Sequence, residues 1–492
     1  ARAQPTMTRW ITPTRCAVLL LLLSTTEALL PQQQQSVVQR VVGRRPVPAV
    51  QRRAVERQEE APARRALVIG GSGRVGASTV RWLDAFARAE GRRLALTVGG
   101  RDGRNFESTR ERWRRQDAAL SDVAFREVDL NDAASLRAAV ADADLVVHTA
   151  GPFQGVREPK VLDACLAEAQ RRPLAYVDVC DETELCRLVK STEYRERAAA
   201  SALRAVVSAG IWPGASALMA LDAIDLFFED DDTERALEDV AVDFDFFTAG
   251  TGGAGPTIVS ATFLLLVTPA LVYRNGEPRE RPAWTEPRSV TFGSNVNAGR
   301  AVTTRLLDCP EVLTLVETLK ASNTPRFATI SAASRFATAP ELWNRLFGAC
   351  KAILPAELLA DRAAMQRLAL FSEPIVRLVD ALVGSQNVMR VRVEHTNGGA
   401  SSSTTRRRPA VEATHVHEDL EAAVGIATAA FALDVLDDAF ASEAAGGGGP
   451  PPSGSILWPA DLPALRREAI LRRVLEAPGT QSYEVRREEA GR

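Results

Sequence analysis

Hydrophobic and polar positions follow two different rhythms along this chain, and the change falls near its middle. In the first half, short apolar runs alternate with helical patterns at intervals of roughly 25 residues. The runs are Arg65–Ile69, Arg93–Gly100, Val123–Asp132, Ala143–Phe153 and "LAYVDVCDE", and Ala77–Ala89 between the first two has a helical pattern. Strand, helix and strand in repeated succession predict a parallel, doubly wound sheet. In the second half "VAVDFDFFTAG" alternates as a half-buried strand does. "VMRVRVEH" and "VEATHVH" read as two more strands, joined by the polar loop Thr396–Pro409. "GTGGAGPTIVSATFLLL" sets glycines before a helix that opens near Pro256, a residue suited to a first helical turn. The apolar run Ile258–Val267 is too short to cross a bilayer and reads as a buried helix or a dimer contact.

The ends of the chain read differently. Arg9 and Arg15 precede the apolar core Ala17–Leu23, and small or polar residues Ser24–Ala28 follow, the layout of a signal peptide. Residues 36–65 then carry many arginines, few acids and several prolines, as an organellar transit segment does. A signal followed by a transit-like stretch predicts a plastid destination, with the secretory pathway as the alternative. "SEAAGGGGPPPSGS" (Ser442–Ser455) reads as a flexible linker.

Composition narrows the function classes. The 492 residues are 46% hydrophobic and 25% charged, ordinary for a globular protein of two or three domains. A formal net charge of −2 gives no ground for nucleic acid as a partner. Six cysteines without a C-x-x-C pair, and four histidines of which His415 and His417 are the close pair, match no zinc spacing, so no metal is expected.

The strongest chemical signal is "RRALVIGGSGRVGAS". Gly71-x-Gly73-x-x-Gly76 lies between a strand and a helix, the context a dinucleotide-binding turn requires. One glycine serves the turn, one the approach of the pyrophosphate, and one the contact of helix with strand. Gly70, Gly71, Ser72, Gly73, Arg74, Val75 and Gly76 are therefore candidate cofactor contacts. The second strand ends in Gly99-Gly100-Arg101, and an arginine there suits a 2′-phosphate, which favours NADP over NAD despite the adjacent Asp102. Asp129 and Leu130, after the third strand, approach the adenine end. Thr149, Ala150, Gly151, Pro152 and Phe153, after the fourth, run beside the nicotinamide ribose.

Ligands of open α/β sheets sit at the carboxyl ends of the strands, which points to Gly151–Gln154, Asp178–Asp181 and the Trp212-Pro213-Gly214 loop. Asp178 and Asp181 are the catalytic candidates, as acid/base groups or as partners of a substrate amine. Equally, Asp181 reads as a helix N-cap and Asp178 as a strand-end cap. Cys180 reads as a small buried thiol and His148 as a core residue. No tyrosine has a lysine four residues on, which disfavours a short-chain dehydrogenase mechanism.

Together, "GGSGRVG", "AGPFQ", "YVDVCDE", "GIWPGAS" and "FFTAGTGGAGPT" resemble the saccharopine dehydrogenase-like NADP-binding family, most nearly its plant and algal chloroplast oxidoreductase branch. The resemblance implies an α/β fold: a Rossmann-like doubly wound sheet, a second mixed α/β (α+β) domain, and a helix, "LEAAVGIATAAFALDVL", returning to the first domain. The expected organisation is a targeting segment 1–62, a Rossmann NADP-binding domain 63–212, and a substrate and dimerisation domain 213–410. The returning helix (411–441), the linker (442–455) and a C-terminal helical segment (456–492) follow. The function expected is an NADP(H)-dependent oxidoreductase acting on a small-molecule substrate. A non-catalytic NADP-binding redox-sensing or assembly protein is the alternative, and a lipid- or thylakoid-associated scaffold a third. Peripheral lipid association and a homodimer stay open as partner classes.

Overall fold

The computed structural model describes residues 63–117, 120, 122–229, 238–252, 255–294, 296–322, 327–396, 409–441 and 453–488. The expected targeting segment, most of the loop after Thr396 and most of the glycine- and proline-rich linker lie outside those residues.

The first half runs β1 (Arg64–Ile69), α1 (Arg74–Ala89), β2 (Leu94–Gly100), α2 (Gly103–Gln116), β3 (Ala124–Glu127), α3 (Ala133–Val140), β4 (Leu145–His148), α4 (Lys160–Glu168), β5 (Leu174–Asp178), α5 (Thr183–Leu188), α6 (Thr192–Ala199), β6 (Leu203–Val206) and α7 (Ala215–Phe227). Helices cover the sheet on both faces, so Ala66–Ile69, Leu145–Val147 and Leu174–Asp178 are buried throughout. α1 shows the local logic. Gly76, Val80, Leu83 and Ala87, spaced by three and four, face inward, and Arg88 in its last turn pairs with Asp84 at 2.7 Å. Val68 of β1 pairs with Val98 of β2 on one side and Val147 of β4 on the other, all parallel. The strand order therefore reverses between β1 and β4, and the crevice beyond their carboxyl ends is where such sheets bind ligands.

The second half runs β7 (Glu238–Ala249), α8 (Pro256–Leu265), β8 (Ala270–Arg274), β9 (Glu277–Arg281), β10 (Arg288–Val290), β11 (Val302–Leu306), α9 (Pro310–Ala321), β12 (Phe327–Ala339), α10 (Glu341–Ile353), α11 (Ala356–Leu359), α12 (Arg362–Val383), β13 (Gln386–His395), β14 (Val411–His417), α13 (Leu420–Ala439), β15 (Ser455–Leu457), α14 (Ala464–Glu476) and β16 (Thr480–Arg487). The seven-stranded parallel sheet has the order β15-β6-β5-β4-β1-β2-β3. The second, mixed sheet is ordered β10-β11-β12-β7-β13-β14-β16, with the hairpin β8–β9 set beside β12.

β7 departs from the half-buried strand its alternation predicts. Val240, Val242, Phe244 and Phe246 form the apolar face, and Trp212 from the first half stacks on Phe246 at 4.6 Å. The opposite face is half-buried at its start and closes fully at Asp245 and Phe247. Asp245 is 0% exposed, and its carboxylate takes hydrogen bonds from Arg390 Nη1 at 2.9 Å and Thr304 Oγ1 at 3.1 Å. Asp243 pairs with Arg335 at 2.8 Å and Arg288 at 2.5 Å. Arginines from the flanking strands neutralise the acids, so polar alternation did not mean solvent.

The C-terminal residues also differ from the helical segment expected of 456–492. β15 extends the first sheet beside β6, α14 packs on α13 and α7, and β16 completes the second sheet beside β14. The strong helical pattern of "ALRREAILRRVLE" hid the short strands on either side of it. The end of the expected linker is anchored too, since the Gly454 N–H donates to the Ser201 carbonyl at 2.8 Å and Ser455 already belongs to β15. Residues 411–417, expected with the returning helix, form β14, and the helix proper is α13, which lies along α1.

α8 buries Ser260, Ala261, Phe263 and Leu264 and packs on α12. α12 in turn exposes Phe371, Ile375, Leu378 and Leu382 along one stripe. Among the described residues, no helix is long and apolar enough to cross a membrane.

Candidate functional site

β1 ends at Ile69, and the chain reverses at Gly70 with φ +83°. A side chain there would be strained, and its Cβ would stand 2.8 Å from the Ala150 nitrogen. The positive φ that the turn needs thus falls on Gly70, one residue before the glycine spacing motif. Gly76 is required for contact: a Cβ on it would overlap the Gly70 carbonyl and reach within 2.6 Å of Thr149 Oγ1. The first-turn N–H groups of a helix have no intrahelical partner. Gly73 precedes α1 without a side chain to cap them, and no acid stands in the first turn. Exposed Gly73 and Arg74 therefore present backbone donors and the positive end of the helix dipole to the surface. Val75 is half-buried behind them. Ser72 ties the turn to α2 through its carbonyl, which accepts from Thr109 Oγ1 at 3.1 Å, while its own buried hydroxyl has no partner among the described residues. An uncapped helix start, a cradle that a Cβ would fill and an unpartnered hydroxyl fit a dinucleotide pyrophosphate.

The sheet order sets the other predicted contacts in a row along the same edge. Thr149 pins the β4 exit to β1, its N–H and its hydroxyl both donating to the Ile69 carbonyl, at 2.8 and 2.9 Å. Gly151 is exposed and Ala150 and Pro152 half-buried, whereas Phe153 turns into the core. On the far side of β1, Arg101 is exposed just past β2. Asp102 beside it caps α2, accepting from the Arg104 N–H at 2.9 Å, and that bond holds its carboxyl below the usual range. Asp129 is exposed after β3, with Oδ1 accepting from the Asn131 N–H at 2.9 Å, and Leu130 is half-buried. The two acids near the adenine end are thereby engaged with their own backbone.

At the nicotinamide end the two catalytic candidates part company. Asp178, 6% exposed, receives Tyr176 OH at 3.0 Å and the N–H groups of Cys180 and Ser208 at 3.1 and 2.8 Å. Burial raises its pKa and the three donors oppose the rise. It joins β5 to the loops beyond it, as the strand-end cap that the sequence offered as its alternative does. Asp181 is not the helix N-cap that the sequence offered as its alternative: Glu182 holds that position at α5, and without a side-chain cap bond. Asp181 is half-buried, and desolvation pushes its carboxyl up to about 6. The Gln154 amide faces it and pulls the other way, while Glu182 and Asp308 add to the rise. Cys180 is buried and its thiol raised by burial. His148 packs edge-on to Phe153 at 5.0 Å, and burial lowers its imidazole to about 4, so it is neutral, with Nε2 lacking a partner.

The second half closes over this edge through residues the sequence did not single out. Arg362, opening α12, donates from Nη2 to the Pro152 carbonyl at 2.5 Å. Asp380, near the other end of α12, accepts from Thr251 N and Oγ1 at 2.8 and 2.7 Å. The same glycine-rich stretch reaches α8, where the Gly255 N–H meets the Glu421 carboxylate. Glu421 also pairs with Arg74 at 3.6 Å, and burial pushes it up to about 7. The start of α8 therefore faces a carboxylate of this chain. Glu421 opens a helix whose sequence reads as core, so no local pattern pointed to it. The Trp212 loop is likewise built into the junction: Trp212 Nε1 donates to Asn387 Oδ1 at 2.9 Å, and the Gly214 N–H to the buried Glu311 at 2.6 Å. Among the described residues no group of three His, Cys, Asp or Glu is placed to hold a metal ion.

Such a fold and edge define a Rossmann-like dinucleotide-binding protein with a second, mixed-sheet domain. Residues 66–212 match the family model described as saccharopine dehydrogenase NADP binding domain, so the resemblance to that family holds for this domain. The apo saccharopine dehydrogenase (L-Glu forming) of Saccharomyces cerevisiae is similar at 15% identity and TM-score 0.50, over 87% of this chain and 100% of its own. That likeness shows the fold. Pen from Bacillus thuringiensis (18% identity, TM-score 0.22) overlaps 29% of this chain and 48% of its own. A beta-ketoacyl-ACP reductase from Bacteroides thetaiotaomicron (15%, 0.24) overlaps 30% and 75%. Overlaps so partial carry no argument. No curated protein matches. The match makes residues 66–212 an NADP-binding domain of the saccharopine dehydrogenase type.

Proposed function

We propose that the chain is an NADP(H)-dependent oxidoreductase with a small-molecule substrate, transferring hydride at the carboxyl edge of β1, β4 and β5. The observation that carries the reading is the uncapped start of α1 set under Gly70 and Gly76, beside the exposed loop at Gly151. Gly70–Gly76 would hold the pyrophosphate, Arg101 the 2′-phosphate, Asp129 and Leu130 the adenosine side, and Thr149–Phe153 the nicotinamide side. Bound NADPH supplies the hydride; the chain's part is to bind, orient and move a proton. Asp181 is the group for the proton, since its raised pKa lies near neutrality. Preference for NADP over NAD is supported by Arg101 being exposed while Asp102 is engaged in capping α2.

A fluorescence titration of the full chain with NADPH and NADH tests the reading. NADPH is expected to bind more tightly, and Arg101→Ala to lose about 1.5–3 kcal/mol of NADPH affinity, the range of a hydrogen bond to a charged group, with little change for NADH. If neither nucleotide binds, the reading fails. Stoichiometric NADPH binding without turnover across a metabolite panel would favour the redox-sensing or assembly role instead. For the destination we propose the plastid, on the layout of residues 9–65. Fusion of residues 1–62 to a fluorescent protein tests it, and export from the cell would point to the secretory alternative.

A further inference from the structure

α12 is held to the rest of the chain along one side. Ala364, Met365, Ala369 and Val376 face inward. On the outer side, every exposed residue between Leu368 and Val383 is apolar: Leu370 and Phe371, Pro374 and Ile375, Leu378, then Ala381 and Leu382. The charged residues of the same stretch are half-buried and engaged with one another, Arg377 pairing with Asp380 at 3.3 Å and with Glu373 at 3.7 Å. The five large side chains of the stripe are between 43% and 80% exposed. That amounts to on the order of 500 Å² of apolar surface, a size that marks an interaction site on a soluble protein.

We propose that α12 is the centre of a two-fold homodimer, packing antiparallel on the same helix of a second copy. The spacing is self-complementary. Phe371, Ile375, Leu378 and Leu382 are separated by four, three and four residues, an order that reads the same in both directions. An isologous contact uses one surface twice, so Phe371 meets Leu382 of the second copy and Ile375 meets its Leu378, each pair occurring twice. The area is sufficient as well. Two stripes together remove on the order of 1,000 Å² from water, the least that a stable interface needs, before any polar rim is counted. Charge argues against a lipid surface, because a helix lying on a membrane carries Lys and Arg along its polar flank, and α12 exposes no cation between Leu368 and Val383. The helix also bridges the halves, with Arg362 on the Pro152 carbonyl at 2.5 Å and Asp380 on the Thr251 N–H at 2.8 Å. The second copy thus backs the element that closes over the nucleotide edge.

Sedimentation velocity on the full chain tests the proposal. Twice the 53.1 kDa of the chain is expected at about 10 µM. Ile375→Glu and Leu378→Lys each place a lone charge in the apolar contact and are expected to give monomers, with dimer affinity lowered at least about 100-fold. Circular dichroism checks that both fold. Mixed in equal amounts, the two variants are expected to re-form a dimer. The antiparallel register sets the introduced carboxylate against the introduced ammonium at one contact and leaves Leu378 on Ile375 at the other. Should either charge disturb folding, Phe371→Ser combined with Leu382→Ser opens the outer pairs without one and is expected to dissociate the dimer too. The proposal is overturned if the parent chain sediments as a monomer, if Ile375→Glu leaves the dimer intact, or if the mixture stays monomeric. A monomer that floats with neutral phosphatidylcholine vesicles would assign the stripe to a lipid surface instead.

Discussion

The two sheets of this protein bury their strands by opposite means. The seven-stranded sheet is parallel and lies between helices, and its inner strands are apolar residue after residue, as at Leu145–Val147 and Leu174–Val177. The nine-stranded sheet is mixed, and β7 sends Phe244 and Phe246 to one face and Asp243 and Asp245 to the other, with Asp245 fully buried and Asp243 half-buried. The first sheet gains its stability from area removed from water, a diffuse and forgiving term. The second depends on pairings that are individually decisive: desolvation raises the pKa of Asp245, and Arg390, Arg288 and Arg335 hold it down. His415 on β14 follows the same rule by another route, staying neutral with its pKa lowered to about 3. The proposed nucleotide contacts lie at the carboxyl edge of the forgiving sheet.

The contrast predicts where substitution should do most damage. Asp245→Ala leaves Arg390 Nη1 without its buried carboxylate, with Glu412 still paired to Nη2, and is expected to lower stability by about 3 kcal/mol, measured by urea unfolding. Asp245→Ala costing no more than an average apolar truncation in the first sheet would remove the distinction. Gly76→Ala brings a methyl against the Gly70 carbonyl, which overpacking series put at about 1–3 kcal/mol. NADPH binding should be lost with it, because the displaced backbone is the part that meets the phosphates.

A subtler effect belongs to the edge itself. The carboxyl of Asp181 lies at about 6 in the folded chain, above its ordinary 3.8, so the folded state retains a proton that the unfolded state has released between those values. Stability therefore falls as pH rises through that window, and the loss persists above it. Thermal midpoints across pH should show Asp181→Asn gaining on the parent from about pH 4 to 6, by on the order of 1–2 kcal/mol after allowance for partial exposure. An unchanged difference across that range would mean that Asp181 is better solvated than its surroundings suggest. The smallest change is expected at the junction of the halves. Glu421→Gln keeps an acceptor for the Gly255 N–H and removes only the pairing with half-exposed Arg74, an effect under about 1 kcal/mol in unfolding and visible mainly as altered NADPH affinity.

Much of the first sheet was legible in the sequence because its physics is local. A buried parallel strand must be a short apolar run, a crossover helix must show an apolar stripe, and a phosphate turn must have glycines where backbone meets backbone. Those demands fix residue types at fixed short spacings, and β1 to β5, the Gly70–Gly76 turn and the Thr149–Phe153 loop follow from them. The roles of single polar residues did not follow, because a carboxylate means different things according to what faces it. Asp178 and Asp181 lie three residues apart in one loop, and only the donors around the first, from Tyr176, Cys180 and Ser208, separate a structural anchor from a group near neutrality. Asp245 and Arg390 are 145 residues apart, and nothing local tells an alternating polar face bound for water from one bound for an arginine. Composition and periodicity thus determined the layered α/β scaffold and its nucleotide turn, since both arise from contacts between chain neighbours and their immediate periodic partners. Which acids are paired, and that the C-terminal strands complete both sheets, were decided by tertiary structure alone, because burial and charge compensation belong to residues that meet only once the chain has folded.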